Sequence, residues 1–209
     1  MIAYIDLFKK FFPKKIYFFF KKIYHILRFY NIFNPNYKSS DKIKFGDDNT
    51  RKYLKDKILH SKIFLEYGSG NTTILASKNN IKNFSVESDR NFYFYLKKMG
   101  LRNLYFYSLG YVSFYSYPLF ESSIFKKYYS NKAKLYASEI LNKLENESNH
   151  PDLILIDGRY RVLCALYVYK FLKARNSTST IIIDDYITRH YLHVVSNFFE
   201  GKTIGRFGV

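Results

Sequence analysis

From Lys62 onward the chain alternates two hydrophobic rhythms. Short apolar runs fall at 62–66, 83–87, 103–108, 152–156 and 180–184, with the length and composition of buried strands. Between them, stretches with helical spacing occupy 71–79, 90–99, 131–146, 161–174 and 188–199. Strand alternating with helix predicts right-handed crossovers, and so a mostly parallel sheet with helices on both faces. Asp152-Leu153-Ile154-Leu155-Ile156 and Thr180-Ile181-Ile182-Ile183-Asp184 are almost wholly apolar, as strands covered on both faces must be.

The N-terminal part reads differently. From Ile16, apolar positions recur at 16, 19, 20, 23, 26, 27 and 30, with Lys15, Lys21, Lys22, His25 and Arg28 around them. This is helical spacing with a charged face, and Pro13 separates it from a short first turn. Three readings fit the helix: it packs on its own domain, docks on a partner, or lies on an anionic membrane surface. Turn signals follow at Asn34-Pro35-Asn36, Ser39-Ser40 and Gly46-Asp47-Asp48-Asn49, then a helix over 50–60. The chain thus divides into a basic, aromatic helical extension with linker, 1–50, and an α/β domain, 51–209. Residues 109–130 form a long aromatic connection, of the kind that shapes pockets at the carboxyl edge of such sheets.

Composition narrows the picture. The chain has 209 residues, 47 % apolar and 21 % aromatic, which suits one ordinary domain plus an extension. Its net charge is +17, and residues 1–60 alone carry 14 Lys and Arg against 5 acids. A basic surface favours phosphate-bearing partners, lipid or nucleic acid. Cys164 is the only cysteine, which excludes an intrachain disulfide and a cysteine zinc site and agrees with a cytoplasmic setting. Lysine pairs at 9–10, 14–15 and 21–22 break the N-terminal apolar stretches, unlike a secretory signal. No stretch reaches the roughly 18 apolar residues of a spanning helix. The expected location is cytoplasmic, with a peripheral place on the inner face of a membrane as the further option for residues 1–33.

Candidate chemistry lies where strands end, because ligands of open α/β sheets bind at the carboxyl edge. The first strand ends in Glu66 and a Gly68-Ser69-Gly70 turn, the second in Glu87 with Asp89. The fourth ends in Asp157-Gly158-Arg159 and the fifth in Asp184-Asp185-Tyr186. Each alone has a plain explanation as a tight turn, a solvated strand end or a helix cap. Together they put four carboxylate-bearing ends on one edge. Glu87 stands 19 residues beyond Gly68, where a carboxylate can accept hydrogen bonds from both hydroxyls of a ribose. Thr73 occupies the third glycine position of a dinucleotide fingerprint. Glu66 would repel a pyrophosphate but suit a cationic group.

On Glu66-Tyr67-Gly68-Ser69-Gly70, Glu87 and the two later strands, the chain resembles the class I S-adenosylmethionine-dependent methyltransferases over about residues 61–199. The resemblance implies a three-layer Rossmann-like sandwich and methyl transfer from a sulfonium to an acceptor. Gly68 and Gly70 would approach the methionine part, with Ser69 and Thr72 of the same loop. Glu66 would hold the amino group and Glu87 the ribose. Ile154-Leu155-Ile156-Asp157-Gly158 with Ile181-Ile182-Ile183-Asp184-Asp185-Tyr186 is similar to a subgroup acting on hydroxyls of sugars and small molecules. Some of its members hold a divalent cation, which makes Asp157, Asp184 and Asp185 candidate Mg²⁺ ligands and Asp157 and Asp185 candidate catalytic residues. Arg159 departs from that pattern, since its cation can pair with Asp157 and take the metal's place.

His190 and His193 share a helix face. Either His190 is a general base for an acceptor hydroxyl or both are surface residues. Arg159, Arg161 and Arg189 suit an anionic acceptor or pairing with the nearby Asp residues. No Asn/Asp-Pro-Pro-Tyr motif follows the fourth strand, so an oxygen acceptor, small molecule or glycan, is expected before a base amino group. Nucleic-acid methylation, supported by the charge, and a non-catalytic use of the fold are the alternatives. Only Lys202–Val209 follow the last helix, enough for one strand, which would leave the closing hairpin incomplete and a sheet edge for the N-terminal helix or a second subunit to cover.

Overall fold

The computed structural model describes residues 13–29, 37, 40–112, 119–120 and 122–209. The segment before Pro13, the Asn34-Pro35-Asn36 turn and the middle of the 109–130 connection lie outside the described residues.

The strands are β1 (Ile63–Tyr67), β2 (Lys82–Glu87), β3 (Leu104–Phe106), β4 (Leu153–Ile156), β5 (Thr180–Ile183), β6 (Thr203–Ile204) and β7 (Phe207–Gly208). The helices are α1 (Lys14–Phe29), α2 (Asp48–His60), α3 (Asn71–Lys78), α4 (Arg90–Lys98), α5 (Ser123–Asn146) and α6 (Arg161–Ala174), with a 3₁₀ segment at His190–Asn197. Among the described residues the strands form one sheet in the order β3-β2-β1-β4-β5-β7-β6. The first five are parallel and β7 runs antiparallel to both neighbours. The fold is the expected α/β sandwich.

Alternation along the strands builds the three layers. Leu65, Tyr67, Ile154 and Ile156 face α5, α6 and the 3₁₀ segment, and bury Tyr136, Ile140, Cys164 and Val168. Phe64, Leu153 and Leu155 face the other way, onto Leu54 and Ile58 of α2 and Leu75 of α3. A smaller cluster joins Ile74 of α3 to Leu96 of α4. Cys164 is a core residue, as its apolar helix suggests.

Three expectations need correction. The C-terminus does form the closing hairpin: Thr203–Ile204 pairs with Phe207–Gly208, and Phe207 is buried under Phe45 of the linker. Gly205, with φ +54°, supplies the left-handed turn residue that lets two very short strands reverse. α5 begins at Ser123 instead of 131, so its first two turns take up the end of the aromatic connection, with Tyr129 buried and Phe125 and Tyr128 half-buried. The segment expected as a helix over 188–199 is 3₁₀.

Candidate functional site

The first turn of interest closes because Gly68 is a glycine. Its φ is +94°, and a Cβ there would stand 2.7 Å from the backbone nitrogen of Gly158. Two glycine turns therefore meet backbone to backbone at the carboxyl ends of β1 and β4. Gly68 N–H and Ser69 N–H donate to Val86 O at 2.9 and 3.3 Å. This ties the turn to the residue just before Glu87, so the glycine loop and the acid expected to grip a ribose share one corner of the sheet.

Glu87 is 7 % exposed. Its Oε1 accepts from Ser88 N–H at 2.6 Å and Asp89 N–H at 2.7 Å, and among the described residues nothing donates to its other oxygen. Burial pushes its pKa up to about 8, against the pull of the Asp89 and Ser88 N–H groups. Asp89 caps α4 by accepting from Asn91 and Phe92 N–H.

Glu66 is tied down beneath the same turn. Its carboxylate accepts from Thr72 Oγ1 and, at 2.6 Å, from Thr73 Oγ1, with Ser85 Oγ 3.4 Å away. Thr73 Oγ1 in turn accepts from Gly70 N–H at 2.9 Å. Burial raises the Glu66 pKa to about 7 despite these donors. Thr72 and Glu66 thus spend their polar atoms on each other, bracing the loop from below. The hydroxyl network was missed in the sequence. Its signal was there in Thr72-Thr73 on the first helical turn and in Ser85, which lies opposite Glu66 in the sheet register.

Two features leave room for a ligand at this corner. A Cβ on Gly70 would meet nothing within 4 Å, so space lies open before the N-terminus of α3, where helical N–H groups favour polar or anionic atoms. The buried Ser69 hydroxyl has no hydrogen-bond partner among the described residues, a state that native interiors rarely leave uncompensated. The linker walls the corner: Ser40 N–H donates to Asn71 Oδ1 at 3.2 Å and Asn71 Nδ2 to Lys42 O at 2.8 Å. These residues fit a nucleoside with a polar tail.

The ends of β4 and β5 hold a network of three Asp and three Arg residues. Arg161 pairs with Asp157 (2.8 Å), Asp185 (3.2 Å) and Asp184 (3.5 Å), and its guanidinium also donates to the Gly158, Asp157 and Asp184 carbonyls. Arg206 pairs with Asp184 at 2.6 Å and with Asp185, and Arg189 with Asp185 at 2.9 Å. Three guanidiniums lie among the three carboxylates, and all three Asp side chains are engaged in ion pairs, although Asp184 Oδ1 and Arg206 Nε face each other outside hydrogen-bond geometry. This set does not fit a divalent cation, and no group of three or more His, Cys, Asp or Glu side chains among the described residues is placed to hold one. Arg161 supplies a cation where the metal was expected. Arg206 escaped the sequence reading because only the hairpin brings it here.

His190 is exposed, its ring edge-on to His193 at 5.4 Å, and His193 Nε2 lies 3.2 Å from Tyr186 O. The pair keeps the shared face expected of it, beside Tyr186.

A cavity of about 540 Å³ opens beside the corner, lined by Phe120, Tyr129, Ala133, Tyr160 and Leu163, with Lys126 and Lys134 among its polar residues. One turn along α5 from Ala133, the buried Tyr136 hydroxyl lies against Gly158, beside the Arg159 backbone. Tyr160 holds a left-handed backbone, φ 53°, uncommon for a bulky residue and a mark of functional strain when it occurs beside a site.

No known family profile matches the chain, and no curated protein is significantly similar to it in sequence. Among solved structures, a methyltransferase-like protein from Silicibacter pomeroyi superposes with a TM-score of 0.63 at 24 % identity, covering 80 % of this chain and 86 % of that one. The likeness establishes a methyltransferase fold.

Proposed function

We propose that this protein is an S-adenosylmethionine-dependent methyltransferase acting on a hydroxyl of a small molecule or glycan. One observation carries the reading: Gly68 and Ser69 hydrogen-bond to Val86, which sets the glycine turn and the buried Glu87 side by side in a methyltransferase fold. Glu87 holds the ribose. Ser69, Gly70 and the N-terminus of α3 receive the methionine part, and Glu66 with Thr72 and Thr73 fixes the loop. When bound, the cofactor supplies an electrophilic methyl group. The chain contributes positioning and exclusion of water, which together account for much of the acceleration in such transfers.

The acceptor occupies the cavity between α5 and Tyr160, whose volume suits a small molecule or a sugar residue. Aromatic rings flank it, and Lys126 and Lys134 suit an anionic substituent. Asp157 and Asp185 keep the edge rigid through Arg161, and no step runs through a metal. His190 is the candidate base for the acceptor proton, reached when the acceptor extends toward Tyr186. The net charge of +17 supports nucleic acid as a second acceptor class, distinguished by binding that weakens steeply with salt.

Thermal unfolding with S-adenosylmethionine tests the reading. At a hundredfold excess over its dissociation constant the ligand should add about 2.7 kcal/mol, or roughly 5–10 °C in a chain of this size. Glu87→Ala should remove the shift while remaining folded. An unchanged Tm at saturating ligand contradicts the proposal. A shift without transfer to any hydroxyl acceptor leaves a non-catalytic binder.

A further inference from the structure

Helix α1 is turned the wrong way for a helix that serves only its own domain. It lies against α4, and its Tyr17 is 7 % exposed. The first turns of its apolar stripe face outward: Ile16 is 41 %, Phe19 62 % and Phe20 53 % exposed, and Phe18 adds a ring at 53 %, whereas Ile23, Ile26 and Leu27 further along are half-buried. Lys14, Lys21 and Lys22 border the stripe, and α1 contains no acidic residue. Over residues 1–33, seven Lys and Arg face a single acid, Asp6.

From this juxtaposition of an unpartnered aromatic stripe with a ring of lysines, we infer that α1 docks on the surface of an anionic lipid bilayer. The rings enter the headgroup–acyl boundary and the ammonium groups stay with the phosphates. Charge decides between occupants. A second copy of this chain would bring another strongly basic helix to the same face, and the two would repel. An anionic bilayer complements both halves of the surface. No described helix is long and apolar enough to cross a membrane, so the contact is peripheral. Lys21 lies 5.9 Å over the Tyr17 ring and Lys22 5.5 Å over Phe120. The docking helix thus touches the aromatic connection that also lines the acceptor cavity, which turns this cavity's side of the molecule toward the lipid.

Co-sedimentation of the full-length protein with phosphatidylcholine vesicles, with and without about one-third phosphatidylglycerol, tests the inference. The anionic vesicles should bind tenfold or more tightly than the neutral ones. The double variant Phe19→Ser with Phe20→Ser should lose about tenfold or more, from the apolar area withdrawn. Lys21→Glu with Lys22→Glu should lose about fivefold or more per lysine. Phe19, Phe20 and Lys22 are exposed and Lys21 is half-buried, and an unchanged Tm confirms that the fold is intact. Equal sedimentation with both vesicles overturns the inference. So does anionic binding that survives loss of the two Phe residues, which would be bare charge attraction. A dimer in solution that dissociates in the Phe variant, without vesicle binding, overturns it and gives the stripe to a second copy. Binding to a polyribonucleotide but not to vesicles overturns it in favour of nucleic acid.

Discussion

Glu87 carries both the recognition and a pH signature. Its pKa of about 8 means that the unliganded carboxyl is mostly protonated at neutral pH. Accepting two ribose hydroxyls requires the carboxylate, so binding must release a proton below pH 8. Affinity for 5′-methylthioadenosine, which has the ribose but no group titrating in this range, should rise about tenfold per pH unit from 6 toward 8 and then level off. Glu87→Gln should flatten the profile, and a flat wild-type curve would refute the assignment. The same shift has the opposite effect on the empty protein. Between about 4.5 and 8 the folded state keeps a proton that the unfolded chain has lost, so stability falls as pH rises through this window. Glu66, raised to about 7, adds to that slope. The residue chemistry was half legible in the sequence. Gly68, Glu87 and their spacing pointed to a nucleoside, because turn geometry and strand ends are local properties. That Glu66 would be consumed by Thr72, Thr73 and Ser85 depends on the register between β1 and β2, which no local pattern gives.

At the level of elements, Arg161 acts as a staple. It sits in the first turn of α6, 8 % exposed, and binds the ends of β4 and β5 through carboxylates and carbonyls at once. Replacing it by Met leaves Asp184 buried with one fewer cation, and such uncompensated pairs cost about 3–5 kcal/mol. Chemical denaturation of Arg161→Met should show a loss of that size with an unchanged m-value. A loss below about 1 kcal/mol would mean that Arg206 alone holds the edge. The elements with continuous apolar runs, β4 and β5, were legible nearly to the residue, since burial on both faces leaves no other composition. β6 and β7 were not, because two-residue strands have no period to read. Arg206 enters the network only through that hairpin, so its role followed the hairpin out of sight. The start of α5 was hidden for a different reason: its first turn is largely exposed, with Ile124 at 80 %, and its apolar positions merge into the aromatic run before it.

Across the whole molecule, the parallel sheet and its layering were legible from the alternation of strand and helix, whereas the strand order came only with the structure. The orientation of α1 was not legible either. Its spacing is that of an ordinary packed helix, and only the fold shows that the first turns of the apolar stripe face out while the helix lies against α4. The proposals together describe a basic protein whose glycine corner binds a nucleoside, with an aromatic cavity beside it and a helix that docks on lipid. The corner is the central claim, and a crystal structure with S-adenosylhomocysteine tests it most directly. The account predicts both ribose hydroxyls within about 2.6–3.2 Å of the Glu87 carboxylate, and the homocysteine tail over Gly70 at the start of α3. Product bound elsewhere, or a ribose turned away from Glu87, would contradict it.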